Sequence, residues 1–171
     1  MARAVRKDAE LAAEQAAESV TDALLTILRI TRVLERVDAG VSPQQYRILK
    51  LIGAGGERSA RLAERLAVAR PTLTSIADSL VAAGLAVRQA EPGDRRVVRL
   101  YLTKAGEQAV ARADAAYSEW FGGLLDDTGQ REQILTDMLL LDNAMTERRR
   151  ARQSAVASQA AGTATAVVGQ L

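Results

Sequence analysis

The sequence predicts a mainly α fold with a small β-hairpin wing: a winged helix–turn–helix set between long N- and C-terminal dimerisation helices. Three observations predict it. Between Ser42 and Gly106, two short helical segments lead to a longer one opening at Ala69-Arg70-Pro71-Thr72, and a hairpin follows with Glu91-Pro92-Gly93-Asp94-Arg95-Arg96 at its tip. The flanking segments repeat apolar residues at alternating spacings of four and three, the period of long helices. The central stretch also gathers the charge. It has 11 Lys/Arg against 5 Asp/Glu, net +6; the remainder has 12 against 16, net −4, and together they make the chain's +2. A near-neutral chain that concentrates positive charge in one segment points to a phosphate-facing surface there. The expected organisation is a dimerisation helix over 1–41, the winged helix–turn–helix over 42–106, dimerisation helices over 107–152 and a flexible tail over 153–171.

Composition removes several function classes. There is no cysteine and no histidine, so a disulfide framework, a thiol switch, a Cys/His zinc site and imidazole acid–base chemistry are all out of reach. No acidic loop has calcium-site spacing, no Gly-rich phosphate loop is present, and no cofactor is expected. An enzyme is therefore the least favoured class. No apolar run approaches the roughly 20 residues that span a bilayer, and the basic N-terminus lacks a following apolar core. The expectation is a cytoplasmic protein with no membrane partner. Aromatics make up only 3% of the chain, so the core must be built from Leu, Val, Ile and Ala.

The elements follow in order. Residues 8–39 read as one helix with Val20, Leu24, Ile27, Thr31 and Leu34 on one stripe, a second set (Leu25, Leu28, Ile30, Val33, Val37) beside it, and Gly40 as its C-terminal cap. A monomer's surface helix needs one apolar face; two faces indicate a helix held between its own domain and something else, a dimer partner being preferred over the competing reading of a central core helix. Ser42-Pro43-Gln44-Gln45 is a helix start with a capping box, and this helix carries Tyr46, Leu49 and Ile52 inward until Gly53–Gly56. Ser59 is expected to cap the next, short helix, with Leu62, Ala63 and Leu66 facing the core. The following helix buries Leu73, Ile76, Ala77 and Leu80, which turns Pro71, Thr74, Ser75, Asp78 and Ala82 outward. Leu85–Glu91 and Val97–Thr103 make the hairpin, Val98, Leu100 and Leu102 lying on one side of its second strand. Thr103 caps a helix over Lys104–Asp126 with Val110, Ala113, Tyr117, Trp120 and Leu124 inward and a loosened or bent point at Gly122-Gly123. A last helix carries Ile134, Leu135, Met138, Leu141 and Met145 into the basic run Arg148-Arg149-Arg150; the tail beyond it, poor in large side chains, reads as poorly ordered or weakly helical.

These residues resemble the MarR family of bacterial transcription regulators over roughly 20–147. The most specific piece is Asp94-Arg95-Arg96 followed by Leu102-Thr103-Lys104-Ala105-Gly106, similar to the family's Asp-x-Arg and Leu-Thr-x-x-Gly. The second is Leu62-Ala63, Val68-Ala69-Arg70-Pro71-Thr72, Leu80 and Gly84-Leu85, in the same order and separation. The resemblance implies a homodimer whose N- and C-terminal helices interlock, with one winged helix–turn–helix on each side. It also implies regulation by a small aromatic or anionic effector held between the dimer helices and the DNA-binding lobe, for which Tyr46, Tyr117 and Trp120 are the lining candidates; for each of them, core filling is the competing role. Two departures are visible: Ala69 stands where the family commonly has a Ser cap, and Ser75 and Ser79 stand where it often has Arg or Lys.

Physical chemistry assigns the DNA roles residue by residue. In the major groove Arg70 can meet guanine or phosphate, and Thr72, Thr74 and Ser75 can exchange hydrogen bonds with base edges. Asp94 is close enough in sequence to Arg96 to aim it into a narrow minor groove, with Arg95 on the backbone. Arg58, Arg61, Arg65 and Lys104 are phosphate candidates, while Asp78 lies too far along its helix to meet a phosphate. The expected function is a sequence-specific transcriptional regulator, in its commonest form a ligand-responsive repressor, on double-stranded DNA. The competing class, a helical interaction adaptor that binds no specific DNA, accounts for the long helices but not for the +6 segment or the Asp94-Arg95-Arg96 wing.

Overall fold

A computed structural model describes residues 19–91 and 94–168, and the side chains of 19–91 and 97–155. The elements are α1 (19–34), α2 (Pro43–Ile52), β1 (Glu57–Arg58), α3 (Ser59–Leu66), α4 (Arg70–Ala82), β2 (Ala86–Glu91), β3 (Asp94–Leu102), α5 (Lys104–Asp127) and α6 (Arg131–Val168). Packing divides the chain into two compact units between Trp120 and Phe121. The expected boundaries near residues 41 and 106 fall inside the first of these units.

In the first unit the core is aliphatic, as the composition requires. Ile48, Leu49 and Ile52 of α2, Leu62, Ala63 and Leu66 of α3, and Leu73, Ala77 and Leu80 of α4 form one buried cluster with Ala86 and Leu100 of the sheet. Ile76 is half-buried at its edge. The sheet has three antiparallel strands in the order β1-β3-β2, rather than the hairpin alone. Glu57 and Arg58 pair with Leu100 and Arg99, so β1 exists only through a partner some forty residues away. On β3 the expected alternation holds at buried Leu100 and half-buried Leu102, but Val98 is exposed because the hairpin there has run past the helices.

Helix ends depart from expectation by a few residues, each for a local reason. Residues 8–18 lie outside the described residues; the C-terminal end of α1 is at 34, not at Gly40. The bonds Arg36 N–H to Val33 O and Val37 N–H to Leu34 O tighten its last turn, and the chain then buries Ala39, placing Gly40 at φ +72°. α2 has the expected box: Ser42 Oγ accepts from Gln45 N–H, and Gln45 Oε1 accepts from Ser42 N–H. α3 starts one residue early, so Ser59 is its first helical residue and Arg58, without a side-chain cap, holds the cap position. α3 ends at Ala67 with φ 54°, a left-handed backbone normally reserved for Gly. That single residue turns α3 toward α4.

A second, smaller cluster joins the end of α1 to α5. Ala39, Ala113 and Tyr117 are buried there, with Leu34, Val37, Val41, Tyr46 and Ala116 against them. Val110 of α5 packs on the first cluster. Among the apolar residues expected to face inward from α5, Leu124 is exposed and Leu125 buried.

The second unit comprises the end of α5, a turn and α6. α5 runs unbroken through Gly122-Gly123. It stops where Gly129 takes φ +66° and Arg131 reaches back to Asp126 at 2.7 Å. α6 continues past 152 through Val168 with no break at the expected tail boundary; its alanine-rich composition is compatible with helix even where little is left to bury. Leu139 and Met145 are 66% and 69% exposed on α6, and on α1 Leu28 is 64% exposed. Among the described residues no helix is long and apolar enough to cross a membrane.

Candidate nucleic-acid interface

α4 is oriented by what it buries. Leu73, Ala77 and Leu80 face the core, so Arg70, Pro71, Thr72, Thr74, Ser75 and Asp78 are all exposed on the other side. Ala69 has the extended backbone of a cap (φ −63°, ψ 145°) but no side-chain oxygen, and Pro71 sits in the first turn. The first-turn amides are therefore left uncapped by any side chain, beside the exposed Arg70. Thr74 donates its hydroxyl to Arg70 O at 3.0 Å, which leaves its lone pairs and methyl turned outward. A serine at position 69 supplies the missing acceptor: Ala69→Ser is expected to raise stability by about 1 kcal/mol, read as a higher urea midpoint with an unchanged m-value.

Three of the segment's carboxylates, Glu57, Asp78 and Glu91, are tied to arginines. Asp78 pairs with Arg88 of β2 at 2.5 Å, which neutralises the only acid of α4. Glu57 Oε2 lies 3.5 Å from Arg65 Nη1 and 4.0 Å from Arg61 Nε. Glu91 is gripped hardest. Its two oxygens accept from Arg58 Nε at 2.7 Å and Nη2 at 2.6 Å, and Arg99 Nη2 lies 3.3 Å from Oε1. The Arg58 hydrogen bonds, then that of Arg99, hold the Glu91 carboxyl at about 2, so it is fully ionised at neutral pH.

This sorts the cations. Arg58 and Arg65, expected as phosphate candidates, already hold carboxylates. Arg61 keeps a side chain 71% exposed with only a grazing approach to Glu57. Arg70 and Lys104 are exposed and make no ion pair among the described residues. Asp94, Arg95 and Arg96 have their backbone in β3, with Glu91 opposite Asp94; their side chains, and the turn residues Pro92 and Gly93, lie outside the described residues. The Glu91 clamp is not among the residues the sequence reading singled out; its one signal is a carboxylate at the turn end of β2, with arginines on the neighbouring strands.

Of the three aromatic candidates, the two tyrosines touch each other and polar partners. Tyr46 and Tyr117 meet edge-on with ring centroids 5.1 Å apart. Tyr46 donates its hydroxyl to Asp114, which also takes Lys50 Nζ at 3.1 Å; Tyr117 donates to Val41 O at 3.0 Å. Burial, then the bond to Asp114, pushes the Tyr46 phenol up to about 12, and the Asp114 carboxyl is lowered by Tyr46 and Lys50. Both tyrosines thus join α5 to α2 and the loop before it. Trp120 lines a groove of about 510 Å³ with Val33, Arg36, Val37, Asp38, Ala116 and Glu119. Among the described residues no group of acids is placed to hold a metal ion.

Comparison with known proteins agrees with this geometry. The model for the MarR family matches residues 39–97, which run from the end of the α1–α2 loop into β3. The HTH-type transcriptional regulator FarR of Neisseria gonorrhoeae is 32% identical over 110 residues, spanning 64% of this chain and 75% of its own. Among solved structures, the transcriptional repressor CouR bound to a 23-mer DNA duplex is 27% identical, with a TM-score of 0.60 over 70% of this chain and 89% of that one. NadR in complex with 4-hydroxyphenylacetate is 29% identical, with a TM-score of 0.52 over 74% and 88%.

Proposed function

This chain belongs to the MarR family of DNA-binding transcriptional regulators, and on that premise we propose that it binds a near-palindromic operator as a homodimer and acts as a repressor released by a small effector. The observation that carries the reading is the outward face of α4: exposed Arg70, Thr72, Thr74 and Ser75 on a helix whose one acid is already neutralised by Arg88. α4 enters the major groove, Arg95 and Arg96 of the wing reach the backbone and minor groove, and Arg61 and Lys104 take phosphates. The apolar faces of α1 and α6 support the dimer, since monomers rarely leave patches of that kind in water. Two copies ask for half-sites about 10 base pairs apart. The repressor role is supported by the similar CouR on its 23-mer duplex. A regulator of this kind works in the cytoplasm.

The effector reading has its own support. NadR holds 4-hydroxyphenylacetate, an aromatic anion. In this chain Trp120 shares a groove with Arg36, Asp38 and Glu119; the proposed ligand stacks on the indole with its anionic end toward Arg36, and Tyr46 and Tyr117 pack nearby.

The test is a protection footprint with anisotropy titrations, on duplex from the protein's own upstream intergenic region against a scrambled duplex. Two protected half-sites one helical turn apart are expected; a single asymmetric half-site overturns the paired docking. In the same assay Arg96→Ala is expected to weaken operator binding by about 1–3 kcal/mol, and unchanged affinity removes Arg96 from the interface. A helical adaptor would bind neither duplex, and that class leaves the uncapped, cationic start of α4 unexplained.

A further inference from the structure

We propose that Glu91 is a specificity-determining positioning residue, whose carboxylate, clamped between Arg58 and Arg99, fixes the direction of the β2–β3 hairpin against the helix–turn–helix. The inference rests on the DNA-binding reading above and adds to it a residue that touches no DNA.

The argument starts from register. Arg58 of β1 and Arg99 of β3 are directly paired across the sheet, which sets two like charges side by side on one face. Left alone, that pair would push β1 from β3. Glu91, at the end of β2, reaches past β3 and accepts from both: two bonds from Arg58 and one from Arg99. One carboxylate therefore spans all three strands of the sheet. The placement matters because β1 is only two residues long and leads directly into α3. β1 ties the sheet to the helices beside the Arg88–Asp78 pair, and the carboxylate reinforces that tie at the last residue before the hairpin turn. The strand pairing is irregular between Ala90 and Glu91, so the ladder alone holds the hairpin less firmly there.

Two consequences follow for DNA. The clamp sets the angle between wing and α4, hence the register between minor-groove and major-groove contacts. It also occupies two guanidinium groups that would otherwise bind any phosphate without regard to sequence. Glu91 thus lowers non-specific affinity while holding the wing where a specific site needs it.

The experiment uses the full chain, a duplex enriched from a random pool by the wild-type protein, and a shuffled duplex of the same composition. Glu91→Gln is expected to bind the shuffled duplex more tightly, to steepen its salt dependence, and to reduce the ratio of specific to shuffled affinity about tenfold, the order of one misplaced specific contact. Glu91→Asp keeps the charge but withdraws the carboxylate; it is expected to lower the ratio without steepening the salt dependence. Glu64→Gln removes an equal charge from α3, where Glu64 is exposed and makes no ion pair among the described residues; both affinities should rise together, leaving the ratio intact. If either Glu91 variant keeps the wild-type ratio, or Glu91→Gln behaves as Glu64→Gln does, the positioning role is overturned. If the wild-type protein enriches no duplex, the DNA-binding reading itself fails and takes this inference with it.

Discussion

Gly106→Ala is expected to destabilise the winged helix–turn–helix by about 3 kcal/mol or more, at or above the usual range for overpacking. A Cβ at Gly106 would lie 2.1 Å from the Leu85 carbonyl oxygen and 2.8 Å from Leu102 Cδ1. The leucine can rotate away; the carbonyl is held in place. Leu85 O accepts the Thr103 N–H at 3.2 Å, and Gly84 O beside it accepts the Thr103 hydroxyl at 2.7 Å. Thr103 Oγ1 then accepts the Gly106 N–H at 3.0 Å, capping α5. Two hydrogen bonds and one missing side chain thus fasten the segment leaving α4 to the segment entering α5. This is the physical content of Leu102-Thr103-Lys104-Ala105-Gly106: the Thr supplies both bonds and the Gly supplies the space. Chemical denaturation measures the effect, and a midpoint shift equivalent to less than about 1 kcal/mol would mean the close approach at Leu85 is not real.

Raising salt from 50 to 200 mM is expected to cut DNA affinity by about 10³-fold or more. The size comes from the sorting of cations. Lys50, Arg58, Arg65, Arg88 and Arg99 already hold carboxylates, which leaves Arg47, Arg61, Arg70, Lys104 and the proposed Arg95 and Arg96 in each protomer. A dimer that places six to ten such groups on phosphates gives a slope of about −5 to −9 in log affinity against log salt. If every Lys and Arg of the segment acted, the slope would be more than twice as steep. A slope flatter than about −2 would deny the interface any built electrostatic surface and return the adaptor class to favour.

What could be read in the sequence was what is decided locally. The capping box at Ser42 and Gln45, the buried row Leu73, Ala77 and Leu80, and the Thr103 cap each depend on residues within one or two turns, and each is in place. What escaped depends on partners far along the chain. β1 is a strand because Leu100 and Arg99 lie beside it, and Arg58 holds a carboxylate because Glu91, 33 residues on, reaches it. Ala67 gives no sign of its left-handed backbone, since alanine has no preference for it; the turn imposes it. The end of α1 was misread because its apolar pattern continues into Val37, which leaves the helix yet still packs in the core beside buried Ala39. Among the aromatics, spacing puts Tyr117 and Trp120 on one face, while the bonds of Tyr117 to Val41 and of Tyr46 to Asp114 depend on partners far along the chain.

The position of Trp120 makes the protein its own optical instrument. It is the chain's single indole, so emission excited beyond tyrosine absorption comes from one place: the groove it shares with Val33, Arg36 and Val37. A molecule entering that groove changes the colour or yield of the emission with no label attached. None of the groove's lining residues lies on α4, the helix proposed to meet DNA, so a change in emission on adding duplex alone would be the expected sign of coupling between that helix and the groove.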